Sequence, residues 1–192
     1  MKRQWTSEEL ERVALARLQQ KTDKTIAGRY AELVSAFAKY FAREQGVLPL
    51  NKGIILSGCT GCGKTTLFRL FYYANTNATN DNVVLFKWSD CPSIAMNYTD
   101  RDNGGVAALR PHFRGAALFD DLGAEEVASH YGNKADVMRQ IIQERYKFGA
   151  LTFITTNLTF RQIAKDYGER IASRLSEMCS WVDMGINEDY RR

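Results

Sequence analysis

The stretch "ILSGCTGCGKTTLF", residues 55–68, constrains this chain more than any other. A short apolar strand, 53–57, runs into Gly58, Gly61 and Gly63, and then into the helical pattern "KTTLFRLFYYA". Glycines let a backbone turn tightly and bring its N–H groups close to phosphate oxygens. The helix N-terminus that follows favours an anion. The predicted cradle comprises Gly58, Cys59, Thr60, Gly61, Cys62, Gly63, Lys64, Thr65 and Thr66. Lys64 is expected to reach the β- and γ-phosphates and the Thr65 hydroxyl to sit on Mg²⁺. These positions predict a nucleoside triphosphate with Mg²⁺ as ligand.

The same stretch contains a C-x-x-C, Cys59 and Cys62. A zinc site needs about four ligands, usually in two close pairs, but Cys91 and Cys179 stand alone and His112 and His130 lack paired spacing. A thioredoxin-like pair would sit at a helix start, as this one does. That reading leaves the three glycines and Lys64 without a role. The cysteines are therefore read as small residues filling loop positions.

A triphosphatase needs a second acidic element, and "GAALFDDLGAEE" supplies it: an apolar strand over 116–120 ending in Asp120 and Asp121. Carboxylates at the C-terminal edge of such a strand lie where a parallel α/β sheet binds ligands. Asp120 is expected to hold Mg²⁺ through water and Asp121 to deprotonate the attacking water. A further strand, 151–155, ends in Thr156 and Asn157, whose amide is placed to position that water or read the γ-phosphate. "YGERIASRLSEM" puts Arg170 and Arg174 four apart on one side of a helix. Each either pairs with Glu169 or Glu177 or serves as an arginine finger for a neighbouring subunit.

Taken together, "GCTGCGKT", "ALFDDLGAE", "TFITTN" and "GERIASRL" resemble an AAA+ ATPase, and "TTNLTFRQIAKDYGERIASRL" resembles the DnaC/IstB-like helicase loaders and transposition helpers over residues 50–184. The resemblance implies a P-loop NTPase of AAA+ type: a parallel sheet of about five strands flanked by helices. It implies Asn157 as first sensor and Arg174 acting in trans, with Arg170 matching the other arginine of the same box. Two departures stand out. Asp121 occupies a position that is glutamate in many AAA+ proteins, which gives Glu125 or Glu126 a share in the general-base role. Few residues follow "CSWVDMG", so no C-terminal lid with a second-sensor arginine is expected, and isolated turnover is expected to be slow.

Candidate strands are 53–57, 83–88, 116–120, 151–155 and 180–184; candidate helices are 64–74, 91–98, 134–148 and 160–178. "NTNATNDN", 75–82, reads as a polar, mobile loop. Residues 1–46 form an N-terminal helical region and 47–192 the ATPase domain. In the former, Thr6 and Glu9 predict a capping box. A second helix, Ile26 to Glu44, carries Tyr30, Leu33, Val34, Phe37, Tyr40 and Phe41 at helical spacing. That stripe either packs on the ATPase sheet or binds a partner. Arg101, Arg110, His112 and Arg114 cluster with Tyr98 and Phe113, a pattern of either a solvated face, a single-stranded DNA contact or a subunit interface.

The net charge of +4 permits nucleic-acid binding. The charged N-terminus and the lack of long apolar runs predict a cytoplasmic protein with no membrane contact. The expected function is an ATPase that self-associates around ATP and acts with single-stranded DNA on a replicative helicase or a transposase. The alternatives are a nucleotide-gated adaptor with little hydrolysis and a small-molecule kinase.

Overall fold

A computed structural model describes residues 5–20, 28–76, 84–130 and 133–185. The elements are α1 (Ser7–Gln19), α2 (Gly28–Phe41), β1 (Gly53–Ser57), α3 (Lys64–Thr76), β2 (Lys87–Asp90), α4 (Cys91–Thr99), α5 (Val106–Leu109), β3 (Ala117–Leu122), β4 (Ala128–His130), β5 (Asn133–Ala135), α6 (Val137–Lys147), β6 (Thr152–Thr156), α7 (Phe160–Tyr167), α8 (Glu169–Met178) and β7 (Cys179–Asp183). A short 3₁₀ turn spans Arg110–His112. The main sheet has five strands in the order β2-β3-β6-β1-β7. The β2–β3, β3–β6 and β6–β1 ladders are all parallel.

The chain divides into two compact units, one of Met1–Asn51, Gly58–Leu85 and Asp183–Arg192, the other of Lys52–Ser57 and Phe86–Val182. In the first, Thr6 and Glu9 form the expected capping box on α1. Glu44, just past α2, accepts from Ser7 Oγ at 2.6 Å and Ser7 N at 2.9 Å, and these bonds lower its pKa. A carboxylate at the α1 N-terminus also meets the positive end of the helix dipole. Part of the stripe on α2 packs on α3, the helix after the glycine-rich loop. Phe37 lies 5.2 Å from Phe68, and Phe41 stacks on Phe71 at 5.2 Å.

In the second unit, β1 and β6 are buried along their whole length, as strands covered on both faces must be. Ile141, Ile142, Ile163, Ile171 and Leu175 of α6, α7 and α8 belong to one buried cluster with Phe119 and Ile154 of the sheet.

Four expected elements differ, the first being the helix over Ile26 to Glu44, which ends at Phe41 with Arg43 beyond it at φ +62°. The strand over 83–88 is β2, Lys87–Asp90, because Asp90 caps α4 by accepting from Ser93 N at 2.9 Å and holds the chain extended to that point. The helix over 134–148 begins only at Val137, where Asp136 accepts from Arg139 N; residues 133–135 pair with β4 in a hairpin instead. The helix over 160–178 is two helices, broken at Gly168 with φ +90°. Most of the loop over 75–82 lies outside the described residues.

Candidate functional site

Chemistry-bearing residues gather in two places, one in each unit. The first is the glycine-rich loop, which follows β1 in the chain. Gly61 and Gly63 adopt φ of +83° and +95°, a region that side chains rarely enter. A Cβ on Gly63 would stand 2.8 Å from the Tyr30 ring, and the Tyr30 hydroxyl donates to Gly63 O at 3.3 Å. Sequence reasoning placed Tyr30 in a helix stripe and missed this contact; its sequence separation of 33 residues leaves no local signal.

Lys64 opens α3 and is buried. Its ammonium donates to Cys59 O at 2.7 Å and Gly58 O at 2.9 Å, and lies 3.8 Å from Cys62 Sγ. The loop's cation, its carbonyls and one thiol are thus drawn together. Thr65 and Thr66 are half-buried in the first turn of α3, whereas Cys59 and Thr60 are exposed. Burial pushes the Cys62 thiol up and the Lys64 ammonium opposes that shift. Among the described residues no group of three or more histidines, cysteines and carboxylates could hold a metal ion.

The second place is the C-terminal end of β3. Asp120 is buried and accepts from Thr155 Oγ1 at 2.5 Å. The same hydroxyl oxygen accepts from Asp121 N at 2.9 Å. Thr155, fully buried on β6, therefore clamps both aspartates. Between Phe119 and Leu122 the β3–β6 register slips by one residue, and Asp121 adopts φ +58°. This β-bulge inserts an extra residue and re-aims its side chain. Asp121 is exposed as a result, in a backbone conformation that costs an ordinary residue on the order of 1 kcal/mol or more.

Neighbouring acids add to this edge. Asp90 pairs with Asp120 in the β2–β3 register. Burial raises the Glu125 carboxyl, which accepts from Gly123 N at 2.8 Å and from the Tyr167 hydroxyl. Glu126 is exposed. The buried Cys91 thiol is pushed well up by burial and by Glu125, Asp120, Asp121 and Asp90. Asn157 follows β6 directly and is exposed.

The two arginines of α8 differ in exposure. Arg170 is exposed. Arg174 lies half-buried with its guanidinium 5.0 Å over the Tyr146 ring, and its Nη1 has no hydrogen-bond partner. Glu177 instead accepts from the Tyr146 hydroxyl at 2.7 Å. Of the basic cluster, Arg101, Arg110 and Arg114 are exposed, and Arg114 stacks 3.8 Å over Phe148. His112 is half-buried, and burial, Lys87 and Arg145 lower its pKa.

Arg145 was not anticipated from sequence. It is fully buried and donates to Thr152 Oγ1 (2.9 Å), His112 O (2.7 Å), Gly115 O (2.8 Å) and Leu151 O (2.6 Å). Burial brings its pKa down to about 10. These bonds fix the segment ahead of β3.

Solved structures share this architecture. The crystal structure of DnaI aligns with a TM-score of 0.60 and 22% identity, over 92% of this chain and 93% of that one. The DnaC helicase loader aligns with a TM-score of 0.59 and 18% identity, over 87% and 98%. The chain has the fold of the DnaC helicase loader. AMPPCP-bound DnaA from Aquifex aeolicus aligns as well, with a TM-score of 0.58 and 13% identity over 88% of this chain and 50% of that one. An uncharacterized protein of Schizosaccharomyces pombe is 25% identical over 195 residues; the match takes in 86% of this chain and spans about 40% of that relative's length. No protein-family model matches. Among the described residues, no helix is long and apolar enough to cross a membrane.

Proposed function

We propose that this chain is an ATPase of the helicase-loader type, binding ATP at Gly58–Thr66 and hydrolysing it slowly. The observation that carries the reading is the loop itself: a buried Lys64 at the start of α3, reached through glycines at positive φ. Backbone N–H groups of such a loop bind phosphate oxygens, and α3's N-terminus favours their charge. A triphosphate draws the Lys64 ammonium from Gly58 O and Cys59 O onto its β- and γ-oxygens. The DnaA structure of this fold holds an ATP analogue, which supports the same ligand here.

The donor set suits Mg²⁺, a hard cation that takes hydroxyl and carboxylate oxygen. Thr65 and Asp120 would hold it, and its charge would offset that developing on the phosphates. Thr155 orients Asp120 for this role through its 2.5 Å bond. Asp121 is aimed outward by the bulge and takes the proton of the attacking water, while Asn157 positions that water. Arg174, or the exposed Arg170, acts on the nucleotide of a neighbouring copy. By the fold it shares with DnaC, a helicase loader, the chain acts with single-stranded DNA on a replicative helicase; a transposase is the alternative target.

Phosphate release from ATP by the purified protein, with and without single-stranded DNA, tests this reading. Turnover that DNA stimulates and Lys64→Ala abolishes supports it. Phosphate released only onto a small-molecule acceptor would instead make the chain a kinase. A second reading, a nucleotide-gated adaptor, is favoured by Asp121 being a methylene shorter than glutamate. ATP binding with no phosphate release in either condition would establish it.

A further inference from the structure

The proposed triphosphate chemistry has no use for the two thiols of its own loop. Cys59 is exposed and Cys62 buried, both free. A turn brings them together: Cys62 N donates to Cys59 O at 3.5 Å, with Gly61 at φ +83° between them. A Cβ on Gly58 would stand 2.9 Å from Cys62 Sγ, so the glycine leaves room for that sulfur. The pair also brackets the loop's cation, for Lys64 Nζ touches Cys59 O and Cys62 Sγ.

We propose that Cys59 and Cys62 are a redox modification site, at which a small-molecule disulfide converts the two thiols into an intramolecular disulfide that closes the loop to ATP. Cys59 is reachable from solvent, so its thiolate attacks one sulfur of the reagent, breaks the S–S bond and releases one thiolate. Cys62 then gives its proton to water and attacks the Cys59 sulfur. The Cys59–Cys62 bond forms as the second reagent thiolate leaves. The protein loses two electrons and two protons, and the reagent gains them as two thiols.

The bond fixes the two Cβ atoms about 3.8 Å apart, across the residues whose N–H groups would bind phosphate. It also holds Cys59 O against the Lys64 ammonium, which a triphosphate must draw away. Burial raises the Cys62 thiol, so the closing step accelerates as pH rises. Cys91 and Cys179 are buried and their thiols are pushed up, Cys179 to about 12, which directs oxidation to the loop.

The inference rests on the loop being the ATP site, and the test separates the two claims. The full chain is treated with oxidised glutathione, its disulfides are mapped by peptide mass spectrometry, and binding of a fluorescent ATP analogue is titrated before treatment, after it, and after dithiothreitol. The expected result is a Cys59–Cys62 bond, binding weakened by about tenfold or more, and recovery with the reductant. In Cys59→Ser, whatever its own affinity, oxidised and untreated samples should bind alike. Glutathione left on Cys59 with no internal bond, or an internal bond that leaves binding unchanged, overturns the proposal. A reduced chain that binds no nucleotide overturns the ATP reading instead, and the mapped bond alone then decides the modification site.

Discussion

The two ends of β3 place charge in opposite ways. Just ahead of Ala117, Arg145 is fully buried, yet its guanidinium makes four hydrogen bonds, all to neutral oxygens and all at 2.9 Å or less. At the far end Asp120 is nearly as buried, Asp121 is thrown outward on a bulge, and one threonine hydroxyl serves both. The first end is closed: its cation is spent on carbonyls and holds the chain still. The second is open: one carboxylate is held by a threonine hydroxyl and the next is turned to solvent. Burial of an ionised group therefore does not by itself mark function. What surrounds the group does.

Substitutions can break that contrast. The largest effect is expected for Asp120→Asn: phosphate release falls by about 10²–10³, while the thermal midpoint stays close to the parent's because the amide oxygen still accepts from Thr155. Equal losses in both would make Asp120 a structural residue like Arg145. Arg145→Met should show the reverse, with stability in urea lower by about 3 kcal/mol as three backbone carbonyls lose their donor, and nucleotide binding by the folded protein retained. Asp121→Gly should raise stability by about 1 kcal/mol by relieving the positive φ, yet slow phosphate release; unchanged turnover would remove Asp121 from the general-base role.

The smallest effect concerns pH. The folded Glu125 carboxyl lies above its unfolded value of 4.5, because burial disfavours the anion. Its contribution is therefore present below the unfolded value and is lost as pH rises through the folded one. Glu125→Gln, which keeps an acceptor for Tyr167, should flatten that decline in an unfolding series across the acidic range. An unaltered pH profile would show that Glu125 does not carry the decline.

Features carried by short stretches of chain were legible in the sequence. The glycine loop, the parallel strands around it, the capping box on α1 and the acidic end of β3 each rest on residues a few positions apart. The features that were not legible depend on distant partners. Thr155 looks like one more β-branched strand residue until β6 lies beside β3, 34 residues earlier. Arg145 reads as a helical surface arginine, since nothing nearby reveals that carbonyls 30 and 33 residues back will surround it. Gly168 sits inside a continuous helical pattern, and only its positive φ shows the break between α7 and α8. The hairpin β4–β5 has no strong alternation in "ASHYGNKA", so the helical pattern beyond it was extended too far back.

The aromatic layer between α2 and α3 has a practical consequence for anyone who would trim the protein. A chain begun at residue 47 would keep the whole glycine loop but strip Phe37 and Phe41 from Phe68 and Phe71. It would also remove the Tyr30 ring from Gly63. An aromatic side chain buries about 150 Å² or more, so two would open a sticky patch on the helix that carries Lys64. The first helices are thus a built-in chaperone for the loop, and a shortened version should clump before it can be assayed.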